Sequence, residues 1–416
     1  MTKSKQLSST LSFALLLVPS LTIMACGDDG ADPSTAASTS VASGQGGAGG
    51  AMSGRGGAGG AGGAGGAGGG STVECLDASS YADAFELLAP ELCVVARHTA
   101  PFVVGFDENF KEIAPTWGRH GGPLTLAQEG NAFTLTRWKV PTGADGALTV
   151  DTMQGPVDTA IPSNLAPSAL FLNAAAVDLP FGGWTAIGWA EFGSSKGELL
   201  MVGKDGVDKR FGVTSVYAVA GLAAANKSRV LTASSSPLGA TGTDIGLHAT
   251  DLCGAALCTG GAVAVTKAGD ASGPVATDAT GNAFAVFPNI SKNTQQIVGY
   301  AASAIAPGVA PSGGATLATL AGSGTALAAL APDSGGEGLL FFQPAVMFVP
   351  GDVVVQRFTA VDSKTLAAKG ATAKALVPKV MGTDVRLMTD GDGRLWAALR
   401  VDATKLESVF FALARR

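Results

Sequence analysis

The chain has 416 residues, of which 14% are charged, and it carries a net charge of −6 with a mean hydropathy of +0.31. That acidic balance, with no stripe of Lys and Arg, argues against nucleic acid, whose phosphates need clustered cations. Aromatic residues make up only 6%, which is too few for the girdles of a transmembrane barrel.

The N-terminus has the parts of an export signal. Lys3 and Lys5 supply a positive start, Leu11 to Met24 an apolar segment, and Ala25 a small residue before a cleavage point. The run Ile23-Met24-Ala25-Cys26 resembles the lipobox of bacterial lipoproteins. That resemblance implies removal of residues 1–25 and acylation of Cys26, which would leave the protein anchored to a membrane through its N-terminal lipid. The alternative is a plain secreted protein in which Cys26 is a spare thiol. The expected location is the cell envelope, at the outer membrane or cell surface in preference to the inner membrane.

Residues 26–71 hold the lipidated Cys26 and a tether that is nearly all Gly, Ala, Ser and Thr, with GGA triplets from Gly46 onward. Such a composition buries no apolar surface and predicts disorder. A flexible segment of this length has a reach of roughly 35–40 Å. Its chance GxGxxG (Gly44, Gly46, Gly49) lacks a preceding strand and a following helix, so it is not a dinucleotide site.

Four cysteines remain, Cys75, Cys93, Cys253 and Cys258. An even number in an exported chain reads as two disulfides. Three pairings are possible, and the local one, Cys75–Cys93 with Cys253–Cys258, is favoured. The first would be worth up to ~3 kcal/mol in the chain-entropy model. With three histidines in the whole chain and no matching second CxxC pair, zinc is the weaker reading.

Residues 72–93 read as a small helical cap. Tyr81, Phe85 and Leu88 have helical spacing, Ser79 or Ser80 is a candidate N-cap, and Pro90 closes the segment. From 94 to 416 the pattern changes to short β runs separated by Gly, Pro, Asp and Asn. Hairpin-like windows recur at 124–138, 186–203, 275–287, 329–342 and 385–399. The turn glycines Gly281, Gly338 and Gly393 are spaced 57 and 55 residues apart, and a similar step back reaches Asn226 and then the run 168–177. The uncharged stretch between Lys292 and Asp333 is rich in Ala, Gly and Pro, which fits closely spaced strands better than a membrane span.

A repeat of this length carrying several strands resembles the blades of a β-propeller, where each blade is one four-stranded sheet. The resemblance covers residues 94–416 and implies an all-β fold of six or seven blades, closed by pairing the last strand (408–414) with the first (94–106). Tandem β-sandwiches would use the same strand and turn chemistry.

Gly193–Gly197 matches GxSxG, but a strand-like run follows Ser195 where a nucleophile elbow needs a helix, so the motif reads as a hairpin turn. Asp390-Gly391-Asp392-Gly393 lacks the twelfth-position glutamate of an EF-hand loop, since that position is Val401, and also reads as a turn. The best ligand-loop candidate is 116–122, where Trp117, Arg119 and His120 lie among glycines. Trp and Arg are hot-spot residues and Arg clamps carboxylates. The competing expectation is that Trp117 packs on a blade edge. No catalytic residue, metal site or cofactor is assigned. The sequence therefore points to a lipid-anchored propeller-like domain that binds an extracellular or periplasmic ligand or protein, or serves a structural role. A hydrolase or lyase acting on glycan or peptide is the alternative.

Overall fold

The computed structural model describes residues 74–106, 112–129, 132–158, 172–178, 185–191, 196–203, 206–214, 221–225, 229–234, 246–253, 256–257, 263–265, 273–289, 292–305, 314–346, 349–402 and 404–416. The lipobox-like segment with Cys26, the tether, Ser195 and Cys258 lie outside the described residues, and so does the side chain of Cys253. No helix among the described residues is long and apolar enough to cross a membrane.

The protein is a β-propeller. The described residues form six antiparallel sheets of four or more strands. Their innermost strands are Thr116–Gly118, Leu172–Asp178, Gly221–Ala225, Val275–Thr277, Ser323–Leu330 and Arg386–Thr389, taken here as blades one to six. Each innermost strand packs beside the next, and the sixth packs beside the first, so the ring closes. The stretch from 292 to 333 supplies strands Thr294–Tyr300, Ala315–Ala321 and Ser323–Leu330, as its small residues suggest.

Closure follows the expected latch. The final strand, Ser408–Arg415, pairs antiparallel with Leu92–Ala100, placing the N-terminal strand outermost in the last blade. The Ser408 hydroxyl accepts the buried N–H of Val104 at 2.9 Å. Arg415 reaches the preceding blade, meeting Asp333 at 2.8 Å and donating to the Glu337 carbonyl.

Blade composition follows from burial on both faces. Successive strand residues point to opposite faces, so neighbours enter different inter-blade layers. Phe341 joins a cluster with Phe85, Leu395 and Phe411, while Phe342 joins Phe284 and Phe358. Phe410 likewise turns to Trp138 and Trp396, away from the layer holding Phe411. A strand covered on both sides reads as a continuous apolar run, which explains GLLFF and SVFFALA.

The cap differs from its helical expectation. Residues 78–80 form a 3-10 turn, and Phe85–Leu87 is a strand paired with Leu376–Pro378 at the outer edge of blade five. The Tyr81–Phe85 spacing that suggested a helix gives a ring stack at 5.3 Å within one tight turn, where both Ala84 and Phe85 donate to the Tyr81 carbonyl. Beyond that turn, the open edge of blade five offers the backbone partners that a helix would have supplied internally. The cap is stapled to the latch strand by the Cys75–Cys93 disulfide, as the local pairing predicted.

The recurring windows fall at two different places in the blade. Windows 275–287, 329–342 and 385–399 are first-to-second strand hairpins, whereas 124–138 and 186–203 are second-to-third. Gly338 is not the turn glycine. It lies in a strand where a Cβ would overlap the Phe358 ring, and Gly336 occupies the turn at φ +77°.

Candidate functional site

Three first-to-second strand turns share one chemistry, written DATGN (278–282), DSGGE (333–337) and DGDGR (390–394). In each, one carboxylate oxygen of the Asp accepts two backbone N–H groups, those two and four residues ahead. The distances are 2.9 and 3.1 Å at Asp278, 2.8 and 3.1 Å at Asp333, and 2.9 and 2.8 Å at Asp390. The fourth residue is a glycine with positive φ, namely Gly281, Gly336 or Gly393. Its N–H returns to the Asp carbonyl, and the Asp N–H reaches the carbonyl of the fifth residue. This is a three-residue hairpin loop whose left-handed position favours glycine. It explains why the calcium-like 390–393 sequence is a turn.

Two of these turns line a cavity of about 710 Å³ that reaches from the channel mouth into the groove between blades six and one. Asp278 comes from the blade-four turn and Asp390 from the blade-six turn. Trp117, Arg119 and Thr142 come from blade one, and His98, Trp396, Asp392 and Arg394 from blade six. Trp117 stacks on Trp396 at 4.7 Å between ring centroids, with the planes 25° apart. Trp396 is buried, carries His98 stacked at 5.9 Å, and donates its Nε1–H to Asp390 Oδ2 at 2.8 Å. Burial holds the His98 pKa below the usual histidine value, against the opposing pull of Asp145, so its imidazole is neutral at pH 7.

Of the sequence candidates, Trp117 and Arg119 line this cavity and His120 does not. Trp117 packs on Trp396 of blade six, as the competing expectation had it, and also lines the groove. His120 curls back over Gly118, where a Cβ would collide with its ring. Its Nε2 lies 3.1 Å from the Trp138 carbonyl, to which it donates, and its Nδ1 lies 3.6 Å from Asp178 Oδ2.

Asp178 ends the first strand of blade two and clasps blade one. It accepts the Arg119 backbone N–H at 3.2 Å, Arg137 Nη2 at 3.2 Å and the Thr185 hydroxyl at 2.6 Å. Burial alone would raise its pKa. The Thr185 hydroxyl and the Arg137 guanidinium with its charge, beside the neighbouring His120 ring, overcome that and hold it at about 2. Among the described residues this cluster gathers an imidazole, a guanidinium and one carboxylate.

The residues that sequence reasoning missed are His98, Asp278, Arg394 and Trp396. The spacing D-x-x-G marks two of their turns, but nothing in the sequence joins a strand at 92–100 to one at 395–399. Among the described residues no group of three or more His, Cys, Asp or Glu is placed to hold a metal ion.

No protein-family model matches the chain, and no curated protein matches it in sequence. Several solved structures are similar to it at low identity. A protein of unknown function from Dyadobacter fermentans is 10% identical with a TM-score of 0.48, covering 79% of this chain and 100% of that one. A glucose dehydrogenase is 12% identical with a TM-score of 0.43 and the same coverage. The Dos1 propeller is 10% identical with a TM-score of 0.40, covering 73% of this chain and 67% of its own. The blade assignment stands on this chain's own strand pairing.

Proposed function

We propose that this chain is a lipid-anchored cell-envelope protein that holds a β-propeller away from the membrane on a flexible tether and binds a ligand between its first and last blades. The observation that carries the binding role is the cavity between those blades, with its Trp117–Trp396 stack and its polar rim. Cavities of this size with an aromatic wall and a few oriented polar groups are the usual form of small-ligand sites.

Binding is preferred over hydrolysis because two of the three carboxylates lining the cavity, Asp278 and Asp390, are engaged as turn formers, and the third, Asp392, lies beside the Arg394 guanidinium at 3.7 Å. A carboxylate has about four lone-pair sites. Asp390 uses three of them on Asp392, Arg394 and Trp396. Asp278 receives the Thr280 N–H and hydroxyl and the Asn282 N–H and side-chain amide. Acid–base catalysis needs carboxylates whose protons can move, with pKa values set apart by their surroundings.

The anchor rests on the lipobox-like run ending at Cys26 and on the tether that follows it. Cys26→Ala is expected to release the protein from membranes and to abolish labelling by a fatty-acid probe. Unchanged membrane association would overturn the anchor.

A further inference from the structure

We infer that the cavity between blades six and one takes an uncharged, hydroxyl-rich ring ligand, a neutral glycan stacked on Trp117. This rests on the binding reading above and names its ligand class.

The wall and the rim point to the same chemistry. Trp117 is half-buried, and its partner Trp396 is only 3% exposed, so the plate is backed by a second indole fixed through Asp390. A ring packed in this way lines the cavity with apolar surface, which suits the C–H face of a sugar ring. Around it lie the exposed Thr142 and the Asp392–Arg394 pair, whose closest charged atoms are 3.7 Å apart. A carboxylate beside a guanidinium offers acceptors and donors side by side, as hydroxyl groups require.

Charge decides against the other ligand classes. An acidic ligand would face Asp278, Asp390 and Asp392, and a cation would face Arg119 and Arg394. A purely apolar ligand would strip water from the Asp392–Arg394 pair and Thr142 without replacing its hydrogen bonds, at a cost in free energy for each group. A neutral polyhydroxylated ring covers the indole and satisfies the rim together.

Glycine leaves the room for it. A Cβ at Gly391 would meet nothing within 4 Å, and Gly391 lines the cavity without needing a positive φ. The equivalent place in the blade-four turn is Ala279, so the turn accepts a side chain there. Gly391→Phe is therefore expected to fold normally and to fill the site.

The test is a titration of the full chain in detergent with neutral trisaccharides (cellotriose, maltotriose and N,N′,N″-triacetylchitotriose), followed by tryptophan fluorescence. A trigalacturonate and a tripeptide are run beside them. Wild type is expected to bind at least one neutral trisaccharide, and Gly391→Phe to weaken that binding about tenfold or more, which is about 1.4 kcal/mol. Trp117→Ala should weaken it too, with its thermal melting curve checking the fold. Binding confined to trigalacturonate or the tripeptide, and lost in Gly391→Phe, overturns the neutral-glycan assignment and leaves the binding reading standing. Trisaccharide binding unaffected by Gly391→Phe overturns this cavity as the site, and no response to any neutral trisaccharide overturns the ligand class. Membrane release by Cys26→Ala is scored separately, so failure of the anchor is distinguishable from failure here.

Discussion

Asp390 closes a hairpin turn with one carboxylate oxygen and holds the indole of Trp396 with the other, at 2.8 Å. One side chain thus fixes both the rim of the cavity and the plate behind Trp117. The fold and the site share this residue, so a change there should disturb both.

Asp390→Asn keeps an oxygen for the turn but can set an amide N–H2 against the Trp396 N–H. A buried donor left without an acceptor costs about 1–3 kcal/mol. Denaturant unfolding followed by tryptophan fluorescence should show that loss, and a larger one in Asp390→Ala, where the turn bonds go as well. An unchanged midpoint in both variants would contradict the dual role.

Asp178 makes stability depend on acid. Its folded pKa is about 2 against an ordinary value of 3.8, so folding favours the ionised form. The resulting stabilisation is fully present above pH ~4 and is lost as pH falls toward ~2, a contribution of about 2 kcal/mol. Asp178→Asn should therefore be less stable than wild type by about that amount at pH 7, with the gap narrowing as pH approaches 2. A gap independent of pH would show that the clasp does not act through charge.

The Cys75–Cys93 bond encloses a short loop, with a sequence separation of 18 residues, and ties the cap to the latch strand. Closing a loop of that size is worth ~3 kcal/mol in the chain-entropy model. Reductant should lower the melting temperature of wild type by several degrees and lower that of a Cys75→Ser/Cys93→Ser double variant by less, the remaining shift reporting the expected Cys253–Cys258 bond. Thiol titration of the denatured, unreduced protein that found all four of these cysteines free would remove the basis of this prediction.

Much of the fold was legible in the sequence because blade strands are local. The alternation of Phe341 and Phe342 between two layers, the glycines of the turns and the step of about 55 residues all follow from neighbouring positions along the chain. That step back from Gly281 reaches Asn226, which lies outside the described residues just past the innermost strand Gly221–Ala225 of blade three. It then reaches the run 168–177, which overlaps the innermost strand Leu172–Asp178 of blade two, although the turn glycine of blade five is Gly336 and not Gly338. The helical spacing at Tyr81 and Phe85 misled for a physical reason. The edge that captures Phe85–Leu87 lies at residues 376–378, and no local pattern reports it.

The sequence by itself determined the all-β class, the turn chemistry, the apolar strands and the presence of Trp117 and Arg119 in one glycine-rich segment, since these depend on propensity and spacing. Only the tertiary structure decided that His120 turns to Asp178 while Trp117 meets Trp396 across the closure of the ring. Those pairings join residues 58 and 279 positions apart. They exist because the latch that the blade resemblance implied brings the last blade beside the first, and spacing along the chain carries no record of which side chains meet there.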